Sequence, residues 1–153
     1  MQQVGFADEV SAEQVRQMVA AARRRCRGLA PLVVRLGPAQ VQQEGVTLAV
    51  APQGPLRWVR MALRGAIAEV WGPARVPQAA EAFWPHVSIA YSNRKGPAAP
   101  VIDRVVRVGA LETVAKVADA RLLELEREGH VYRWRTHAVV PLGTEGRSPR
   151  RGG

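Results

Sequence analysis

Apolar residues recur at helical spacing from Val15 through Met18, Val19 and Ala22 to Cys26, and the flanking residues mark both ends of the helix they predict. Ser11 stands as an N-cap with Gln14 three residues on, a capping box, while Val10 and Val15 hold the N′ and N4 positions of a hydrophobic staple. Gly28 offers a stop before Pro31, so the spacing predicts a helix over residues 12–27. Its other face carries Arg16, Arg23, Arg24 and Arg27, the pattern of a solvated surface.

Two short β-branched and apolar runs, residues 32–41 and 46–50, flank Gln42-Gln43-Glu44-Gly45 and read as an antiparallel hairpin. Pro55 at a first helical position then opens a second amphipathic helix with a stripe of Leu56, Val59, Leu63, Ile67 and Val70, ended by Gly72-Pro73. Trp58 and Trp71 are expected to pack in or near the core. Residues 77–83 form a connector, and His86–Tyr91 follows as a strand. Strict alternation would put His86, Ser88 and Ala90 on one face and Val87, Ile89 and Tyr91 on the other. A loop over residues 92–100 precedes a short amphipathic helix over residues 101–108. Residues 112–128 fit a helix or a strand by spacing alone. Gly129-His130 is a turn, and residues 131–140 alternate as a strand, with Tyr132, Trp134, Thr136 and Ala138 opposite Arg133, Arg135 and His137. The polar, Gly/Arg-rich segment 143–153 is expected to be a disordered tail.

With 153 residues, 47% of them hydrophobic, the chain suits one domain with a sizeable core. No run approaches the ~18 apolar residues of a membrane helix, and the first residues lack the pattern of a signal peptide, so a cytoplasmic location without membrane partners is expected. The single cysteine, Cys26, has no intrachain disulfide partner and no second cysteine to help hold a metal; a buried thiol is expected. The net charge is +9, and all basic residues but Lys95 and Lys116 are arginine. A positive field favours anionic partners such as RNA. An arginine- and alanine-rich coding bias explains the same composition equally well.

On its own, His86-Val87-Ser88 is a weak signal: an imidazole and a hydroxyl two apart on a strand point to one side, where one can move a proton and the other hold a phosphate oxygen. The surrounding run Phe83-Trp84-Pro85-His86-Val87-Ser88-Ile89-Ala90-Tyr91-Ser92 resembles the second signature motif of the two-histidine (2H) phosphoesterase superfamily, in its 2′-5′ RNA ligase-like and cyclic phosphodiesterase branch. The order of the other elements is similar over residues 1–142. That likeness assigns residues 112–128 to a strand. The resemblance implies an α+β fold with pseudo-twofold, two-lobed antiparallel sheets, helices on the outer faces and a central cleft. It also implies acid/base catalysis by two histidines on a 2′,3′-cyclic phosphate or a 2′-5′ linkage, with no metal or other cofactor. Imidazoles suit such work because they titrate near neutrality.

His86 and Ser88 are the catalytic candidates that the motif supplies. Arg94 and Lys95, in the loop beyond it, are candidate phosphate contacts and equally suit solvated charges. Tyr91 is a third substrate-binding candidate, able to bond phosphate or stack on a base, although alternation would turn it away from His86 and into the core. Arg133 and Arg135 have even claims to a phosphate or to solvent. No histidine precedes His86. Met1-Gln2-Gln3-Val4-Gly5-Phe6 is similar to the residues that follow a first His-x-Thr, which would place that motif just upstream of Met1; either the chain continues upstream or it is a natural half-site protein. His130 and His137 are expected to be surface or structural. Three functions remain open: an impaired phosphodiesterase or ligase acting as a monomer on RNA or nucleotides, a noncatalytic RNA- or nucleotide-binding module, and a structural remnant with an exposed sheet edge.

Overall fold

The capping box forms as its spacing requires. Ser11 Oγ accepts from the Gln14 amide at 3.2 Å, and Gln14 Oε1 accepts from the Ser11 amide at 3.1 Å, satisfying two donors at the helix start. The computed structural model describes residues 2–81, 83–128 and 131–143. Helix α1 spans Ala12–Cys26, strands β1 and β2 span Leu32–Gln42 and Gly45–Ala51, and helix α2 spans Gln53–Trp71. Strand β3 (His86–Tyr91), helix α3 (Ala99–Val108) and strands β4 (Thr113–Val117), β5 (Asp119–Glu128) and β6 (Val131–Pro141) follow.

Helix α2 begins two residues before Pro55, with Pro52 as its N-cap. Pro55 is tolerated because first-turn amides have no intrahelical acceptor to lose. Helix α3 likewise starts earlier than expected, at Ala99. The larger correction concerns residues 112–128, which are two strands and not one. They part at Ala118 and join different sheets, one of order β3-β2-β1-β4 and one of β5-β6. Ala118 marks the change of sheet, its carbonyl accepting from Leu142 N at 2.9 Å.

All strand pairs are antiparallel, and the fold is α+β as expected, with sheets of unequal size. On the larger sheet, Leu32 pairs with Val117 and Val34 with Ala115. This face turns toward the helices, where Leu32 and Val117 pack against a core of Ala21, Ala22, Cys26, Val59 and Ala66 that Val140, near the end of β6, and Leu142, just beyond it, complete. Small side chains let α1 and α2 approach closely. Cys26 is fully buried and burial pushes its thiol pKa up, which suits packing and not nucleophilic attack. Gly143, expected to open the tail, instead donates its amide to Cys26 O at 3.1 Å. Residues 144–153, and the expected turn at Gly129-His130, lie outside the described residues. Among the described residues no helix is long and apolar enough to cross a membrane.

The opposite face of the larger sheet carries Val33, Arg35, Val114 and Lys116, all exposed. Trp58 is also exposed, at 65%, contrary to expectation, because it lies off the apolar stripe of α2, whereas Trp71 is half-buried. The arginines of α1 are only partly a free solvated face: Arg24 and Arg25 reach Glu69 on α2 at 2.8 and 2.7 Å. Gly65 makes room for this bridge, since a Cβ there would stand 2.5 Å from the Arg25 guanidinium.

The hydrogen bond from Arg25, helped by the charges of Arg25 and Arg24 against a smaller cost of desolvation, holds the Glu69 carboxyl below its ordinary pKa. A folded-state pKa below the unfolded value stabilises above the unfolded value, about 4.3, and is lost as pH falls through the folded one. Glu69→Gln should therefore lower Tm at pH 7, and the gap to the parent should close as the pH drops below about 4. Thermal melts of both proteins across that range check this.

Candidate active site

Among the described residues, strand β3 lies at one edge of the larger sheet, paired only with β2. His86 stands opposite Ala49, Val87 opposite Leu48 and Ser88 opposite Thr47. The register then shifts, and Ala90 faces Val46 while Tyr91 faces Gly45. Two steps on β3 match one on β2, so Ile89 is the extra residue of a β-bulge. Directly opposed residues in an antiparallel pair project to the same face. Val46 and Val50 belong to the helix-facing side and are buried, whereas Gly45, Thr47, Ala49 and Ala51 alternate to the other side. The bulge therefore overturns the alternation expected for β3. Ala90, although exposed, joins the side of Val46, and Tyr91 joins His86 and Ser88 on the side of Thr47.

Gly45 permits this arrangement. A Cβ at that position would stand 2.0 Å from the Ala90 carbonyl oxygen and 3.1 Å from Tyr91 Cα. The same open face continues across β2 to β1, where Gln40 stands opposite Thr47 and Arg35 opposite Ala51. Arg35 is tied to Glu112 at 3.3 Å.

His86 is exposed, and its Nδ1 lies 2.9 Å from the Trp84 carbonyl oxygen. A carbonyl only accepts, so Nδ1 carries the proton, and in the neutral ring Nε2 keeps its lone pair for another partner. The Trp84 indole stacks on the imidazole with ring centroids 4.4 Å apart and an interplanar angle of 29°. Carbonyl and indole together fix the plane of the ring. Pro85 between them is buried, which anchors the start of the strand.

The segment leading into Trp84 is held from α2. Arg60, only 4% exposed, donates to the carbonyls of Ala80 at 2.5 Å and Ala79 at 3.0 Å and to Gln2 Oε1 at 3.1 Å. Its guanidinium also sits 4.9 Å from the centre of the Phe83 ring. Arg64 adds bonds to Gln78 O at 2.6 Å and Pro77 O at 2.9 Å. Burial, then the charges of Arg64 and Arg57, lower the Arg60 pKa. Sequence inspection missed this clamp; the one available signal was Arg60 lying beside Val59 within an otherwise apolar helix stripe.

The remaining candidates are dispersed. The Tyr91 ring lies 5.5 Å from that of Tyr132, tilted by 51°, which brings the end of β3 to the start of β6. Arg94 and Lys95 are exposed and follow Ser92, whose amide bonds to Glu44 O at 2.9 Å. They start from the end of β3 remote from His86, about 17 Å along the strand at 3.3 Å per residue. Arg135 pairs with Glu124 at 2.6 Å and Arg133 approaches Glu128 at 3.9 Å, both exposed. His137 is the extra residue of a second bulge, where Leu122 faces Ala138 and Leu123 faces Thr136. It borders a largely apolar cavity of about 470 Å³ between the first residues, α1, α2 and β5, whose lining includes no residue of β3. Among the described residues no group of three or more His, Cys, Asp or Glu side chains is placed to hold a metal.

A family model described as the 2′-5′ RNA ligase superfamily matches residues 3–129. The chain belongs to this superfamily. A comparison with curated proteins found no match. Among solved structures, TT0787 of Thermus thermophilus is similar to this superfamily member with a TM-score of 0.63 at 21% identity, covering 88% of this chain and 74% of that one. LigT of E. coli, solved in complex with 3′-AMP, gives a TM-score of 0.57 at 18% identity, covering 87% and 71%. These structural likenesses show the fold alone.

Replacing Arg60 by Met keeps much of the apolar stem and deletes the Arg60 bonds to Ala79 O, Ala80 O and Gln2 Oε1, leaving those of Arg64 in place. The expected cost is about 2–3 kcal/mol, since hydrogen bonds to charged groups are lost and two carbonyls are left unpaired. Urea unfolding of the two proteins measures it.

Proposed function

We propose that this 2′-5′ RNA ligase superfamily member binds RNA or nucleotides bearing a 2′,3′-cyclic phosphate or a 2′-5′ linkage and acts on the phosphodiester through His86. The single observation that carries this reading is the Nδ1 contact of His86 with Trp84 O, which leaves Nε2 free on the face that also bears Ser88. LigT, with the same fold, was solved with a nucleotide, 3′-AMP. In the proposed hydrolysis, Nε2 of neutral His86 takes a proton from the attacking water, or protonated His86 gives one to the departing ribose oxygen. Water adds to phosphorus, one P–O bond to ribose breaks, and a phosphomonoester with a free hydroxyl remains. Ser88 Oγ donates to a phosphate oxygen as charge builds there.

Tyr91, now on the same face, is assigned to the base or ribose of the substrate. Arg94 and Lys95 are assigned to the phosphate of a neighbouring nucleotide, because they begin at the far end of β3. The reading has the chain work as a cytoplasmic monomer without metal or cofactor. The noncatalytic alternative, a nucleotide-binding module, is favoured by one observation: His137 borders a cavity whose lining includes no residue of β3.

Turnover of 2′,3′-cyclic AMP should fall by about 10²- to 10⁴-fold in His86→Ala, as loss of a general acid or base does. Nucleotide binding that persists in His86→Ala, from a parent protein without turnover, selects the binding module. Turnover unaffected by His86→Ala removes His86 from the mechanism.

A further inference from the structure

Thr47 is 6% exposed, and its Oγ1 is buried without a hydrogen-bond partner. A buried hydroxyl left unpaired is destabilising, and most are satisfied. Valine fills the same volume without that cost, and β2 uses valine at Val46 and Val50. Thr47 stands directly opposite Ser88, on the face of His86, in a strand flanked on both sides so that Gln40 and Ser88 border it. Opposed Cβ atoms in such pairs are about 4.5–5.5 Å apart, and threonine–serine hydrogen bonds across strands are an established pairing. At that spacing, staggered rotamers of an opposed threonine and serine can bring the two hydroxyls within hydrogen-bond reach.

We propose that Thr47 is a positioning residue for Ser88, donating its hydroxyl proton to Ser88 Oγ while Ser88 donates its own to a phosphate oxygen of the substrate. The proposal rests on the phosphodiester reading and adds a residue to it. Accepting a hydrogen bond polarises the Ser88 hydroxyl and makes it a stronger donor, and it also selects one Ser88 rotamer. Thr47 Oγ1 has no accessible surface, so it acts through Ser88 and not on the substrate. The orphan donor of the unliganded protein gains its acceptor when Ser88 turns to the phosphate.

The test uses the full chain and 2′,3′-cyclic AMP, with Thr47→Val, Thr47→Ser, Ser88→Ala and the Thr47→Val/Ser88→Ala pair. Thr47→Val is expected to keep or raise Tm, to lose about tenfold in kcat and to leave KM within about twofold, as removal of a transition-state interaction does. Thr47→Ser should restore most of kcat, and Thr47→Val should have no further effect once Ser88 is alanine. Full activity in Thr47→Val beside an inactive His86→Ala overturns the role of Thr47 and leaves the phosphodiester reading standing. Equal losses in Thr47→Ser and Thr47→Val, or the same loss with Ser88 already removed, reveal a packing role and also overturn it. If Thr47→Val does not fold, Thr47→Ala replaces it; if neither folds, Thr47 is a folding residue and the proposal fails. If the parent shows no turnover, the same variants are titrated calorimetrically with 3′-AMP, and the weakening by Thr47→Val must depend on Ser88. A parent that neither turns over nor binds overturns the phosphodiester reading and this proposal together.

Discussion

Strand β3 comes so close to β2 at Gly45 that no side chain fits between them, and the layout of the site depends on that contact. With the Ala90 carbonyl 2.0 Å from where a Cβ would be, the two backbones meet where only glycine allows it. The extra residue, Ile89, is accommodated in a bulge, and the faces of β3 exchange beyond it. His86 and Ser88 lie before the bulge and Tyr91 after it. The three share a face through the bulge, which simple alternation would have prevented.

A second constraint holds the beginning of the strand. Two arginines of α2 pin residues 77–80 by their carbonyls, a few residues ahead of Trp84, whose carbonyl and indole set the ring of His86. Backbone carbonyls in a connector need donors, and a helix that passes beneath with arginines at Arg60 and Arg64 supplies them. The helix thus does more than cover the sheet. It also holds the connector that leads to Trp84 and His86.

The features legible in the sequence are those decided by near neighbours. The capping box of α1 and the bounds of β3 depend on residues a few positions apart, and both form where the spacing put them. The superfamily itself was legible because the run around His86 keeps its order and spacing. What was not legible depends on partners distant along the chain. The facing of Tyr91 turns on Gly45, 46 positions earlier, and no alternation rule contains that information. The change of sheet at Ala118 carries no glycine or proline to announce it, and the partner of its carbonyl, Leu142, lies just beyond β6. Arg60 looked like one more charge on a basic chain, and Thr47 like an ordinary strand former. Burial sets both apart from the other polar residues described, and burial is a property of the assembled fold.

The stack of Trp84 on His86 also makes the site visible to light. An indole in contact with an imidazole loses emission when that ring gains a proton, because the imidazolium is the better electron acceptor. Trp84 is 47% exposed, and its ring centroid lies 4.4 Å from the one imidazole that the motif supplies. The protein therefore carries a spectroscopic gauge of the charge on His86, one that works without substrate or turnover and that goes silent when Trp84 is exchanged for another residue.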